Sequence, residues 1–348
     1  MFIRKYSTPR PLLLDILPQR KLIKRLLFDF DAKFNYGKYL PVVQKVYDNV
    51  GKDQLEFPKK FRGRDLLLFQ KVLNEIRQQT HTSNKYLVEL EEELVERAAE
   101  LGSRDALTIL SFKALRDTNN EYTQDDKVQA EKFVAELKKL EHPLVYKMNG
   151  DYQFDLGNFK EAVGEYWKFI QLDKSSFLAA DAFKALGMIH FKQRQLLRAK
   201  LFFEKSIKLA PVSKVAQSHF MLGQIYEIDP VRARYHFEMA ATQGFRESFQ
   251  MLGFLELNYF NNIYKAKTWF RMGSELSDYN CMIGLFDCYI KEQNWKAARK
   301  AFDGITKYLD SQQIQLDLES IRKESVDKLI SHETTSSVSK EPSSIWDV

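Results

Sequence analysis

Between residues 251 and 304 the chain says the same thing twice. MLGFLELNYFNNIYKAKTWFRMG is followed by CMIGLFDCYIKEQNWKAARKAFDG, and Gly253/Gly284, Ala266/Ala297, Phe270/Ala301 and Gly273/Gly304 are each 31 residues apart. Each copy reads as two helices joined by a turn. A period in the low thirties built of helix pairs marks an α-solenoid, because one pair cannot bury its apolar face alone and must stack on its neighbours. The expected fold is therefore all-α, an α-α superhelix of tetratricopeptide or Sel-like helix pairs, and the rest of the chain should stack on this segment.

Tracing the pattern backwards requires a glycine in the first helix, a small residue about 12 positions on and an aromatic four beyond that. Gly150, Ala162 and Tyr166 satisfy it, as do Gly187, Ala199 and Phe203, with Pro211 closing the second helix. Gly223 is followed two residues early by Ala233 and Phe237, so its IDP turn must be tight. Helix axes about 8–10 Å apart leave no room for a branched side chain at a crossing, which is why the alanines recur. Ala162, Ala199, Ala233, Ala266 and Ala297 are the expected crossing residues. AAELG at 98–102 matches AATQG at 240–244 and predicts an earlier, degenerate junction.

The organisation that follows is a basic arm over 1–30, a helical region over 31–140 with one degenerate repeat, five repeats over 142–310, a capping helix over 311–330, and a polar, disordered tail over 331–348. Pro41, Pro58 and the polar run at 78–84 are expected helix breaks. The formal charge of +6 lies wholly in the first 28 residues, which hold seven Lys or Arg against Asp15, so the body has no net field to attract nucleic acid. An acid-poor basic opening, MFIRKYST, is of the mitochondrial targeting type, and Arg4 to Ser7 has the form of a matrix-processing site. After Pro18, Arg20, Lys21, Lys24 and Arg25 occupy one arc of a helix, and Leu22, Ile23, Leu26, Leu27 and Phe30 the opposite one. Such a helix either docks on its own domain with a solvated basic face or lies on an anionic bilayer.

Phosphate loops, dinucleotide glycines, zinc spacings and nucleophile triads are absent from the sequence, and Cys281 and Cys288, seven apart, suit a core seam. No enzyme and no cofactor is expected. What a helix-pair array does is bind peptide along its first helices. Counting from the glycines, the groove should present Lys147, Asp151 and Phe154; Lys184, Met188, Phe191 and Lys192; Gln217, Phe220, Gln224 and Glu227; and Gln250, Phe254, Leu257 and Asn258. Leu252, Leu255 and Tyr259 should turn toward neighbouring helices. Asp151 and Met188 stand where a carboxylate clamp for chaperone tails needs Asn, which disfavours that ligand.

RESFQMLGFLELNYFNNIYKAKTWFRMG and DCYIKEQNWKAARKAF, supported by AAELG and DALTILSF at 98–112, resemble a yeast mitochondrial family, the matrix-side assembly factor for cytochrome c oxidase subunit 2. The resemblance is tight over 246–304 and looser over 29–310. It implies a tetratricopeptide-like protein held peripherally on lipids of the inner-membrane matrix face. There it would help export the C-terminal domain of subunit 2, together with an Oxa-type insertase. No catalytic residues come with the family. A helical-repeat RNA-binding translational activator would need stricter 35-residue units and a basic groove, and a generic Sel-like adaptor remains the other alternative.

Overall fold

The computed structural model describes residues 10–52, 55–314 and 317–338. Among these, every regular element is a helix and there is no strand, so the chain is an all-α helix-pair repeat protein. It divides into two compact units, residues 1–173 and 174–348. The opening MFIRKYST and the last ten residues lie outside the described set.

The N-terminal unit begins with α1 (Leu13–Ile16), α2 (Arg20–Asp29) and α3 (Tyr36–Asp48), followed by the pairs α4 (Gly63–Thr80) with α5 (Lys85–Glu100), α6 (Arg104–Leu115) with α7 (Gln124–Lys139), and α8 (Pro143–Asp155) with α9 (Phe159–Leu172). Residues 10–30 are not a free arm. Leu13, Ile16, Ile23 and Leu27 are buried in the same core as Tyr39, Phe69, Leu90 and Leu94, with Leu22, Leu26 and Phe30 packed against it. Arg10 pairs with Glu89 at 3.2 Å and lies over the Tyr47 ring, whose hydroxyl donates to the Pro11 carbonyl. The apolar arc of α2, five large side chains from Leu22 to Phe30, is thus spent on its own domain. Pro41 sits inside α3 instead of breaking it.

Where one degenerate junction was expected, the structure has two further complete pairs, α4/α5 and α6/α7. The matched segments do close the same way. Gly102 and Gly244 have φ of +78° and +74°, and the next N–H returns to the carbonyl of Ala98 and of Ala240. Glycine enters this left-handed helix stop at the least steric cost, and Glu141, Arg194, Ser277 and Gln293 make the same stop elsewhere with φ of +51° to +60°.

The C-terminal unit stacks α10 (Phe177–Lys192) with α11 (Leu196–Leu209), α12 (Val212–Ile225) with α13 (Pro230–Ala241), α14 (Arg246–Asn258) with α15 (Ile263–Glu275), and α16 (Tyr279–Lys291) with α17 (Trp295–Ser311). A short α18 (Leu318–Ile321) leads into α19 (Lys323–Val338). The capping helix therefore starts later than residue 311 and runs eight residues into the stretch expected to be disordered. Val326 and Leu329 bury against Ile283, Ile305 and Leu309, His332 stacks on Trp295, and Glu333 pairs with Arg299. Those partners give the polar segment a reason to stay helical.

The glycine and aromatic of the repeat meet directly. A Cβ on Gly150 would stand 2.7 Å from the Tyr166 ring, one on Gly187 2.6 Å from Phe203, and one on Gly223 2.6 Å from Phe237. Phe270 is wedged between Gly253 and Gly284 of successive pairs. Ala162, Ala199, Ala233 and Ala266 are buried beside these rings. In the last pair the register moves by one, with Ala298 fully buried and Ala297 only partly so. Phe302, against Phe286 at 6.0 Å, takes the aromatic place that Ala301 was expected to mark.

Candidate functional site: an apolar groove beside a basic one

In the C-terminal unit the first helices of successive pairs line a cavity of about 630 Å3. Phe191, Gln224, Glu227, Phe254 and Asn258 come together there, as counted from the glycines, and they are joined by Leu196, Gly223, Ala233, Phe237 and Met251. With no Cβ on Gly223 the Phe237 ring packs directly against its backbone, so the two together form one wall of the cavity. Phe254 stands edge-on to Phe270 at 4.9 Å, which fixes its ring. Leu255 and Tyr259 line the cavity too, contrary to the expectation that they pack between helices. Tyr259 keeps right-handed helical geometry at the end of α14, its N–H bonded to the Leu255 carbonyl at 3.0 Å. At 100° per residue Leu255 and Tyr259 continue the arc of Phe254, Asn258 and Met251, so the cavity takes in a wider face of α14 than the count from Gly253 allowed.

A second cavity of about 390 Å3 adjoins the first through Phe254 and Asn258 and takes in Leu257, Asp287, Lys291, Arg322, Lys323, Ser325 and Lys328. Asp287 accepts from Arg322 at 2.9 Å and Ser325 at 3.1 Å. Burial still raises its carboxyl above the usual range, against the opposing pull of Arg322. Lys328 pairs with Glu324 at 2.6 Å, and Lys291 reaches the Leu257 carbonyl at 3.5 Å. With four cations and two carboxylates, the second cavity carries a positive excess. Phe254 and Asn258 stand at the boundary between an apolar and a cationic site.

Other expected groove residues do not join this site. Lys147 is buried and paired at 2.6 Å with Asp151, which also accepts from the Tyr166 hydroxyl. This internal network holds α8 to α9 and removes Lys147 from ligand contact. Phe154 packs edge-on to Phe159 in the N-terminal unit. Lys184 is drawn to Asp181 at 2.6 Å, and Lys192 is exposed at the end of α10. Phe220 packs inward on Phe237 and Phe245 and Gln250 is half-buried outside both cavities, while Leu257, though it borders the second cavity, is almost wholly buried. Arg20, Lys21, Lys24 and Arg25 are all exposed on α2.

Sequence reasoning missed one polar cluster. His219 and His236 are buried with their Nδ1 atoms 3.1 Å apart, and His236 stacks on Tyr226 at 5.4 Å. Burial, with His219 adjacent, lowers His236 to about 4, and burial lowers His219 as well. Both rings are thus neutral packing elements. Among the described residues no group of three or more His, Cys, Asp or Glu is placed to hold a metal, and no helix is long and apolar enough to cross a membrane.

A family model described as the MSS2 N-terminal domain matches residues 9–103, which is the region where α1–α5 share one core. "Protein MSS2, mitochondrial" of Saccharomyces cerevisiae is 32% identical over 318 residues, covering 88% of this chain and 91% of that protein. The chain belongs to the MSS2 family. Membership reaches further toward the N-terminus than the limit of 29 expected from the motifs, because residues 9–28 belong to the family's N-terminal domain. Among solved structures, YrrB, described as a TPR protein with an unusual peptide-binding site, is similar at 19% identity and TM-score 0.44, covering 54% of this chain and 96% of its own. The yeast Tom70 structure is similar at 12% identity and TM-score 0.41, over 93% of this chain and 81% of its own.

Proposed function

We propose that this MSS2-family protein is a mitochondrial, non-enzymatic assembly factor. In this reading it binds newly made cytochrome c oxidase subunit 2 at the matrix face of the inner membrane and promotes export of its C-terminal domain, in concert with an Oxa-type insertase. The observation that carries the reading is the paired cavity of the C-terminal unit in a chain of this family. An apolar client side chain fills the site bounded by Gly223, Phe237, Phe254 and Tyr259. The Asn258 amide is positioned to meet the backbone of an extended segment as it passes, and a carboxylate that follows is drawn toward Lys291 and Lys323. A holding protein gains from such a site because the apolar anchor supplies affinity while the amide and cations set direction.

The test is site-specific crosslinking in organelles from a photoreactive residue at position 258 to newly synthesised subunit 2, together with Phe254→Ala/Asn258→Ala. Truncating an anchor of this kind costs about 2 kcal/mol of binding, roughly thirtyfold in affinity. Export, read by protease access to the C-terminal domain in mitoplasts, should stall while the variant remains folded. Normal export by a folded double variant would remove the groove from the function.

A further inference from the structure

The N-terminal unit holds a concentration of charge that its own fold does not use. A cavity of about 600 Å3 beside α2 and the start of α3 is lined by Arg20 and Lys24, by Lys33 and Lys38, and by Phe28. No carboxylate lines it. Arg25, outside the cavity, pairs with Asp29 at 3.8 Å. Among the described residues no ion pair takes up any of the four lining cations.

Aromatic faces hold three of the four instead, with Lys33 also donating to the Lys60 carbonyl at 3.5 Å. Arg20 lies 5.4 Å over the Tyr36 ring, and Lys33 and Lys38 converge on Phe34 at 4.9 and 5.8 Å. Phe34 is in turn stacked on Phe61 at 4.5 Å. Rings fix an ammonium without neutralising it. Four uncompensated charges around one concavity repel each other and focus a positive potential into it. The backbone N–H groups opening α3 add to that field in the same direction. Inorganic cations are excluded by sign, and a phosphate monoester, with about −1.5 to −2 charges and three acceptor oxygens, meets more of the charge than a single carboxylate would.

Phe28 identifies the source of the phosphate. Its side chain is 86% exposed at the cavity, while the other large apolar residues of α2 are packed into the core. Insertion of α2 by an apolar face is therefore closed to this protein. What remains is a cationic cavity with one projecting aromatic ring, which matches a lipid headgroup lying beside hydrocarbon. We propose that this cavity binds the phosphate of an anionic phospholipid headgroup, with Phe28 entering the interfacial layer. The proposal deepens the membrane-peripheral part of the function above and rests on it, but it is independent of the client groove.

The test uses the purified full chain and vesicles of phosphatidylcholine with or without phosphatidic acid. Two variants remove equal charge: Lys33→Gln/Lys38→Gln inside the cavity, and Lys21→Gln/Arg25→Gln on α2 outside it. At about 0.15 M salt, diffuse attraction is screened while direct phosphate contacts persist. The cavity pair should weaken binding to acidic vesicles about tenfold, and the outer pair about twofold. Equal losses would reduce the effect to general surface charge and overturn the site. Phe28→Ala should weaken vesicle binding several-fold and leave binding of soluble glycerol phosphate unchanged. Soluble glycerol phosphate that binds as tightly as vesicles would overturn the lipid assignment in favour of a free phosphate ligand. Groove variants with unchanged vesicle binding keep failure of this proposal distinct from failure of the client reading.

Discussion

Replacing Gly187 by Ala tests the packing rule of the array. The new Cβ would stand 2.6, 2.8 and 2.9 Å from three atoms of the Phe203 ring. That ring is fully buried among Ala199, Met221 and Leu222 and has nowhere to withdraw. Overpacking of this kind costs about 1–3 kcal/mol, while exchange of glycine for alanine inside a helix returns about 1 kcal/mol. Gly304, exposed in α17 of the same unit, has nothing within 4 Å of its would-be Cβ, so its alanine variant receives the gain alone. The difference between the two variants isolates the overpacking at about 1–3 kcal/mol. Urea denaturation of the full chain followed by circular dichroism reads it, with the Gly304 midpoint moving up and the Gly187 midpoint level or down. Adding Phe203→Leu to Gly187→Ala should recover part of the loss. Midpoints that rise equally for both glycines would mean the ring does not sit on the glycine, and the account of the repeat would fail.

The buried histidine pair makes stability depend on acid. His236 titrates near 4 when folded and near 6.5 when unfolded, so the unfolded chain binds more protons between these values. Stability is complete above about pH 6.5 and falls as pH drops toward 4, by about 3 kcal/mol for a shift of this size. Thermal melts from pH 7.5 to 4.5 should show the decline and a flatter profile for His219→Phe/His236→Phe. An equal slope in the double variant would assign the acid sensitivity elsewhere. Cys281 and Cys288 are fully buried and both thiols are pushed up to about 12, chiefly by burial. Neither should react with iodoacetamide at pH 8 until urea unfolds the C-terminal unit; rapid labelling of the native chain would contradict that packing. Together with the groove and headgroup variants, these measurements address each unit separately.

Sequence alone determined the helix-pair class, because Gly150, Gly187, Gly223 and Gly253 each precede a buried alanine and a buried aromatic at nearly constant spacing. A steric requirement between two adjacent helices is local enough to leave a periodic trace. The junction shared by AAELG and AATQG was legible for the same reason, though not its left-handed stop, and the offsets from those glycines placed Phe191, Gln224, Phe254 and Asn258 on helix faces that border one cavity. Contacts between segments far apart in the chain leave no such trace. Only the tertiary structure showed that α2 spends its apolar arc on α3–α5, that Asp151 takes Lys147 out of any groove, and that Arg299 and Trp295 hold residues beyond 331 in a helix. It also decided that Lys33 and Lys38 join Arg20 and Lys24 around one cavity. A charge count gives the sum of charges along the chain, whereas the field of a site depends on which of them face the same space.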